Sequence, residues 1–221
     1  MNIAATEFNQ WLESIAPDVP LRDICTQANL SLSTISEQRS GNRITPNTVI
    51  SISRAQGLNP AHQLATFLEF ESLKTFDLSL KDAVPLCSAL ELLHHWFVRE
   101  GKAQPGLAFT VPEARLKRWL EMNRHKASHK DLAYYLEMQP SNFSRQITDG
   151  SLPVYRIINL ASYLGVSPLP GLIAADYLLF EEVFGQSIQN LLSSTSDQEL
   201  VRAIEQAGPF LSVDMTHFTS H

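Results

Sequence analysis

The sequence predicts an all-α protein built from two similar helical bundles, a helical connector between them and a helical tail. Three observations carry this prediction. First, residues 21–60 recur as residues 129–168 when the chain is slid by 108 positions without a gap. The match extends upstream, where Trp11, Leu12 and Glu13 fall on Trp119, Leu120 and Glu121, and over fifty residues it gives ten identities against about three expected from ordinary residue usage. Second, apolar residues stay in register across the copies, pairing Ile24 with Leu132, Ile35 with Phe143, Val49 with Ile157 and Ile52 with Leu160. A structural unit has been used twice. Third, apolar residues recur at steps of three and four, and no stretch shows the period of two that marks a strand. The predicted organisation is a first bundle over 1–72, a connector over 73–110, a second bundle over 111–179 and an acidic helical segment over 180–221.

Taken in order, residues 5–15 place Phe8, Trp11, Leu12 and Ile15 on one side of a helix, which Pro17 and Pro20 close. A short helix follows over 21–29 with Ile24, Cys25 and Ala28 facing inward. Ser31 is a plausible N-cap for a third helix, 32–40, whose inward residue is Ile35, and Gly41-Asn42 can supply the left-handed backbone that ends it. Thr45 caps a fourth helix with Pro46 at its first position and Gly57 as its stop. Pro60 opens a fifth, 60–71, with Leu64, Phe67, Leu68 and Phe70 as its stripe. The connector should hold one amphipathic helix, 84–99, spanning about 24 Å, and GKAQPGLAFTVP reads as a loop. The second bundle repeats the order as helices 112–123, 128–137, 140–148, 153–164 and 168–179, with Ser128 capping its second helix. FEEVFGQSIQNLL and SDQELVRAIEQAG read as two tail helices, the latter opened by a capping box of Ser196 and Glu199. The last dozen residues look frayed.

Composition is that of an ordinary globular protein, with 44% hydrophobic residues and no apolar run long enough to cross a bilayer. The start MNIAATEFNQW lacks the basic and apolar regions of a signal peptide, so a cytoplasmic protein is expected. Cys25 and Cys87 both fall in apolar helical pattern and read as reduced core residues, although their pairing stays open at this stage. The net charge of −6 argues by itself against a nucleic-acid partner, but it is unevenly spread. The balance is −2 over 1–70, −1 over 71–110, +2 over 111–178 and −5 over 179–221, so the second copy is the basic part.

Two short helices joined by a tight turn, the second exposing small polar residues at its start, make a helix-turn-helix. In both copies an apolar residue stands beside a small one in the second helix, Ile24-Cys25 and Leu132-Ala133, and the buried residue of the third helix follows eleven positions after the first of them, Ile35 and Phe143. With these features, LRDICTQANLSLSTISEQRSG and HKDLAYYLEMQPSNFSRQITDG resemble the helix-turn-helix of the lambda-repressor-like (XRE/Cro-type) DNA-binding family. The resemblance covers about 60 residues of each half, in a five-helix order, and implies two tandem domains of that kind. Both copies depart from the family habit of a glutamate two residues before glycine, with Arg39-Ser40-Gly41 in the first and Ile147-Thr148-Asp149-Gly150 in the second.

The resemblance implies that the third helix of each copy enters the major groove with its first residues against base edges, while the start of the second helix meets phosphate. In the second copy Gln139, Ser141 and Asn142 can hydrogen-bond bases or phosphates, and Arg145 is placed to take a guanine bidentately. His129 and Lys130 stand where phosphate would meet the second helix. Lys117, Arg118, Arg124 and Lys126 would add the salt-dependent part of affinity. An ordinary solvated helix face would carry the same charges. The first copy offers Ser31, Ser33, Thr34, Gln38 and Arg43, but Leu21 replaces a phosphate contact and Glu37 stands where the second copy has Arg145. A glutamate accepts from cytosine and is repelled by phosphate. The first copy therefore either reads a different half-site or has kept the fold for protein contacts.

The expected activity is a transcriptional regulator of the prokaryotic or phage-repressor type, with double-stranded DNA as partner. A homodimer or protein partner would use the connector and C-terminal helices. The other reading is a protein-interaction module with repressor-like folds that binds another regulator rather than DNA. No catalytic constellation, phosphate loop or cofactor motif is present in the sequence, so an enzyme is not expected. His94 and His95 are adjacent on a helix and face different ways. His125 with His129, and His217 with His221, have i, i+4 spacing without further ligands nearby, so no metal site is expected.

Overall fold

A computed structural model describes residues 2–74, 78–104 and 114–210. Among these residues every regular element is helical, with one isolated antiparallel bridge between Ile3 and Ile44. The chain divides into two compact units, residues 1–76 and 77–221.

The first unit runs through α1 (Ala5–Ile15), α2 (Leu21–Gln27), α3 (Leu32–Ser40), α4 (Pro46–Ala55) and α5 (Pro60–Leu64), followed by a 3-10 helix over Leu68–Lys74. Its core is made where the helical stripes meet: Phe8, Ile24, Ile35, Val49, Ile52 and Leu64 have no exposed area. The Trp11 indole N–H donates to Gln63 Oε1 at 2.9 Å, and its ring lies 5.6 and 5.7 Å from those of Phe8 and Phe67. Three helices end on a left-handed residue, Asn29 (φ 53°), Asn42 (52°) and Gly57 (67°). In each case the next N–H reaches back five residues: Leu30 to the Cys25 carbonyl, Arg43 to Gln38 and Leu58 to Ser53, at 2.8–2.9 Å. This is the Schellman closure, which satisfies a carbonyl the helix leaves over.

The second unit begins with α6 (Leu80–Ala83), a 3-10 turn over Val84–Leu86 and α7 (Ala89–Arg99). It continues through α8 (Arg115–Asn123), α9 (His129–Tyr135), α10 (Pro140–Thr148), α11 (Val154–Leu164) and α12 (Leu169–Ala174), and ends in α13 (Phe180–Phe184), α14 (Ile188–Ser194) and α15 (Asp197–Ala207). The bounds of α9 and α10 lie 108 residues beyond those of α2 and α3. The left-handed residues keep the same offset, as Glu137, Gly150 and Gly165, and so do the closing bonds from Met138, Ser151 and Val166 to the Ala133, Gln146 and Ala161 carbonyls. Gly41 is right-handed (φ −79°), and Asn42 does the work of Gly150. The displaced glycine seen in the sequence therefore leaves the turn after each third helix unchanged.

Several elements differ from their sequence expectation. The helix expected over 60–71 stops at Leu64, where Phe67 N–H turns back to the Leu64 carbonyl and Leu68 is left 75% exposed. The connector is not one helix over 84–99. It breaks after Leu86, because Pro85 lacks an N–H for the ladder and Ser88 starts a new helix by accepting from Glu91 N–H at 2.9 Å. The second-copy helix expected to Leu179 ends at Ala174, and the tail stretch beginning at Phe180 is cut in two at left-handed Gly185. Ser31 and Thr45 occupy N-cap positions without capping through their side chains. The capping boxes at Ser128 and Ser196 are both formed. The expected loop after Gly101 and the frayed terminus, with His217 and His221, lie largely or wholly outside the described residues.

The segments on either side of the second copy share a core. Leu80, Val84, Cys87 and Leu92 pack with Leu192, Leu200, Ala203 and Ala207, and Met122 of α8 lies against them. Arg99 of α7 ties the end of α14, donating to the Leu192 and Ser193 carbonyls and pairing with Asp197. A cation suits those leftover carbonyls. Cys25 and Cys87 are both buried free thiols. Burial pushes the Cys87 thiol well up, with Glu91 adding to the effect. Among the described residues no helix is long and apolar enough to cross a membrane.

Candidate nucleic-acid interface

The second copy's α9, its turn and α10 form the candidate surface. The start of α9 is fixed by its capping box: Ser128 Oγ accepts from Asp131 N–H at 3.2 Å, and Asp131 Oδ2 accepts from Ser128 N–H at 3.1 Å. The Ser128 side chain and backbone hydrogen bonds hold the Asp131 carboxyl below its ordinary value. Leu132 and Ala133 are buried, and so are Phe143 and Ile147, which press α10 onto the bundle. Pro140 fits the first turn because its missing N–H has no intrahelical acceptor. With that face inward, Gln139, Ser141 and Arg145 are exposed together, and Asn142 is half-buried. Asn142 Oδ1 accepts from Arg145 Nη2 at 3.0 Å and from Gln146 Nε2 at 3.3 Å.

Lys117, Lys126, Lys130 and Arg145 present free charge to solvent. Two other cations read from the sequence as part of this face are withdrawn from it. Arg118 is only 5% exposed, and its Nη1 donates to the Cys87 carbonyl at 2.8 Å. Arg124 is held by Glu121 at 2.6 Å and by the Ala127 carbonyl at 2.9 Å. His129 also turns inward, with Nε2 2.6 Å from Glu121 Oε1 and its ring edge-on to Phe143 at 5.8 Å. Burial alone would raise the Glu121 carboxyl, but the hydrogen bonds from Arg124 and His129 outweigh it and hold that group below the usual carboxylate range. The imidazole thus positions the start of α9, and Lys130 is the exposed cation there.

In the first copy Ser31, Ser33, Thr34, Glu37 and Arg43 are exposed on and beside α3. Ser31 and Ser33 share a hydroxyl hydrogen bond of 2.7 Å. Gln38 is not available in the same way: its Oε1 accepts from Thr45 N–H at 3.0 Å and Thr48 Oγ1 at 2.9 Å, which ties α3 to the start of α4. With Glu37 in place of a cation, Arg39 and Arg43 are the exposed cations on α3 and directly after it.

One surface group was missed in the sequence. Tyr134, Tyr135 and Tyr163 stand out to solvent, where the same positions of the first copy hold Thr26, Gln27 and Ala55. The signal was the unpaired Tyr-Tyr step in an otherwise matching repeat. Among the described residues no three His, Cys, Asp or Glu side chains gather as a metal site. Compared with protein-family models, curated proteins and solved structures, the chain matches none.

Proposed function

We propose that the chain is a sequence-specific DNA-binding transcriptional regulator with two tandem lambda-repressor-like helix-turn-helix domains, of which the second reads the major groove through α10. The observation that carries this reading is the split of α10 into a buried edge, Phe143 and Ile147, and an exposed one bearing Gln139, Ser141 and Arg145. Such an edge offers donors and acceptors of the kind that read base edges. Asn142 holds the guanidinium of Arg145 along the helix surface, so Arg145 approaches a base with fewer conformations to lose. Lys117, Lys126 and Lys130 supply phosphate contacts.

Binding of the full chain to random and selected duplexes, measured at two salt concentrations, tests the proposal. Binding should be sequence-selective and weaken with salt, at about 0.9 in log–log slope for each phosphate neutralised. Arg145→Ala should cost about 1–3 kcal/mol and relax preference at one base position, whereas Lys130→Ala should weaken all sequences alike and lower the slope by about 1. Binding that is absent at moderate ionic strength overturns the reading.

For the first unit a second reading has its own support. Glu37 is exposed at the position of Arg145, and the Gln38 side-chain oxygen Oε1 is occupied by Thr45 N–H and Thr48 Oγ1. Those two features favour a protein-interaction module with a repressor-like fold that binds another regulator. In that case Glu37→Ala leaves DNA affinity unchanged.

A further inference from the structure

The exposed tyrosines of the second unit are not required by its fold. The first copy builds the same α2–turn–α3 backbone, with the same left-handed turns and closing hydrogen bonds, using Thr26, Gln27 and Ala55 in their places. Its version of this face is polar: Thr26 donates to the Arg22 carbonyl and Gln27 accepts from Gln56 at 2.7 Å. In the second copy Tyr134 is 86% exposed, Tyr135 45% and Tyr163 48%. The rings of Tyr135 and Tyr163 lie 4.5 Å apart, tilted by 38°, so two helices bring them into one aromatic wall. Solvent-exposed aromatics that the core does not use point to a contact surface.

That wall borders a groove of about 840 Å³ lined by α9, the turn that follows it and Tyr163 of α11. Its charged lining is all acidic: Asp131 and Glu137 reach it, and no Lys or Arg does among the described residues. Glu137 occupies a left-handed position, φ 53°, which asparagine fills in the first copy as Asn29. Asparagine tolerates that backbone and glutamate does not favour it, so the carboxylate is present against local preference. Ring faces carry negative quadrupole potential, and carboxylates add to it. Phosphate is repelled from such a groove; a guanidinium is suited to it, stacking on tyrosine while donating to a carboxylate.

We propose that this tyrosine-lined, acidic groove docks an arginine side chain of a partner protein. Tyrosine and arginine together are the residues that concentrate binding energy at protein interfaces. The groove includes Gln139 at its edge, so a partner seated there lies beside the start of α10. The inference stands apart from the DNA reading, because the groove is probed with no nucleic acid present.

The test uses the full chain with ring-labelled tyrosine, titrated with a blocked Gly-Arg-Gly peptide and with Gly-citrulline-Gly, whose side chain has the same shape without the charge. The arginine peptide should give saturable shifts of the Tyr134, Tyr135 and Tyr163 rings, and citrulline should bind about fivefold or more weakly. The combined variant Tyr134→Thr, Tyr135→Gln, Tyr163→Ala carries the first copy's residues and should fold and lose the response. Glu137→Asn should weaken peptide binding several-fold while raising thermal stability, a pairing of opposite signs that a merely structural role does not give. Equal response to both peptides, no saturable response, or a response that survives the triple substitution overturns the proposal.

Discussion

Arg118 gives the sharpest test of how the second unit is held together. Its sequence context, between Lys117 and Trp119 in a basic stretch, reads as a phosphate contact, yet the side chain is 5% exposed and its Nη1 donates to the Cys87 carbonyl at 2.8 Å. Arg118→Met keeps most of the apolar stem and removes the donor. A hydrogen bond from a charged group contributes about 1.5–3 kcal/mol, and the abandoned carbonyl stays buried. Unit 2 should therefore lose about that much, which for a domain of its size is roughly 4–10 °C in Tm. Trp11 is the only tryptophan of the first unit. In a Trp11→Phe background, Trp96 and Trp119 then report on the second unit alone during urea unfolding. Under the proposed function, DNA affinity measured well below the transition should be unchanged on every sequence. Unaltered stability together with uniformly weaker DNA binding would refute the burial argument and return Arg118 to the phosphate-facing surface.

Two further perturbations probe neighbouring parts of the same unit. A Cβ on Gly171 would stand 2.8 Å from Ile157 Cγ2 and 3.0 Å from the Trp119 ring, so Gly171→Ala should destabilise by about 1–3 kcal/mol through overpacking, read as a lower urea midpoint with an unchanged m-value. Glu121 has a depressed carboxyl in the folded state. Its stabilising contribution is fully present above the unfolded value of about 4.3 and is lost as pH falls through the lower folded value. Urea midpoints measured from pH 6 down to about pH 3 should consequently fall less steeply in Glu121→Gln than in the native chain; parallel curves would remove Glu121 from the acid response.

Local features were legible from sequence, because every residue they depend on sits within the same few helical turns. The stripe around Ile35 and Phe143, the left-handed stops at Gly57 and Gly165, and the Ser128 and Ser196 caps all depend on residues within a few turns. Arg118 was not legible, since its cover comes from the Cys87 segment more than thirty residues earlier. Gln38 and Gln146 are identical in sequence but differ in use: one clamps Thr45 and Thr48, the other donates to Asn142. Leu68 looked like part of an apolar stripe only under the assumption that α5 continues, and the turn at residues 65–67, before the 3-10 helix that begins at Leu68, moves it to the outside. Gln139, Ser141 and Arg145 are exposed, as their place at the start of α10 suggests, whereas His129 pairs with Glu121 across eight residues, a contact that helical spacing does not suggest.

The two tryptophans show why comparison of the copies is informative beyond the core. Trp11 and Trp119 occupy the same place, but the indole N–H of Trp11 is satisfied by Gln63, while the position matching Gln63 is Gly171, where a Cβ would come within 3.0 Å of the Trp119 ring. The core has therefore adjusted residue by residue while the bounds of the second and third helices, and the left-handed turns and closing hydrogen bonds after the second, third and fourth, stayed fixed. A backbone held so constant places no demand on residues that point away from it. Glu37 against Arg145, and Thr26-Gln27 against Tyr134-Tyr135, are such outward differences. Burial and turn geometry account for none of them.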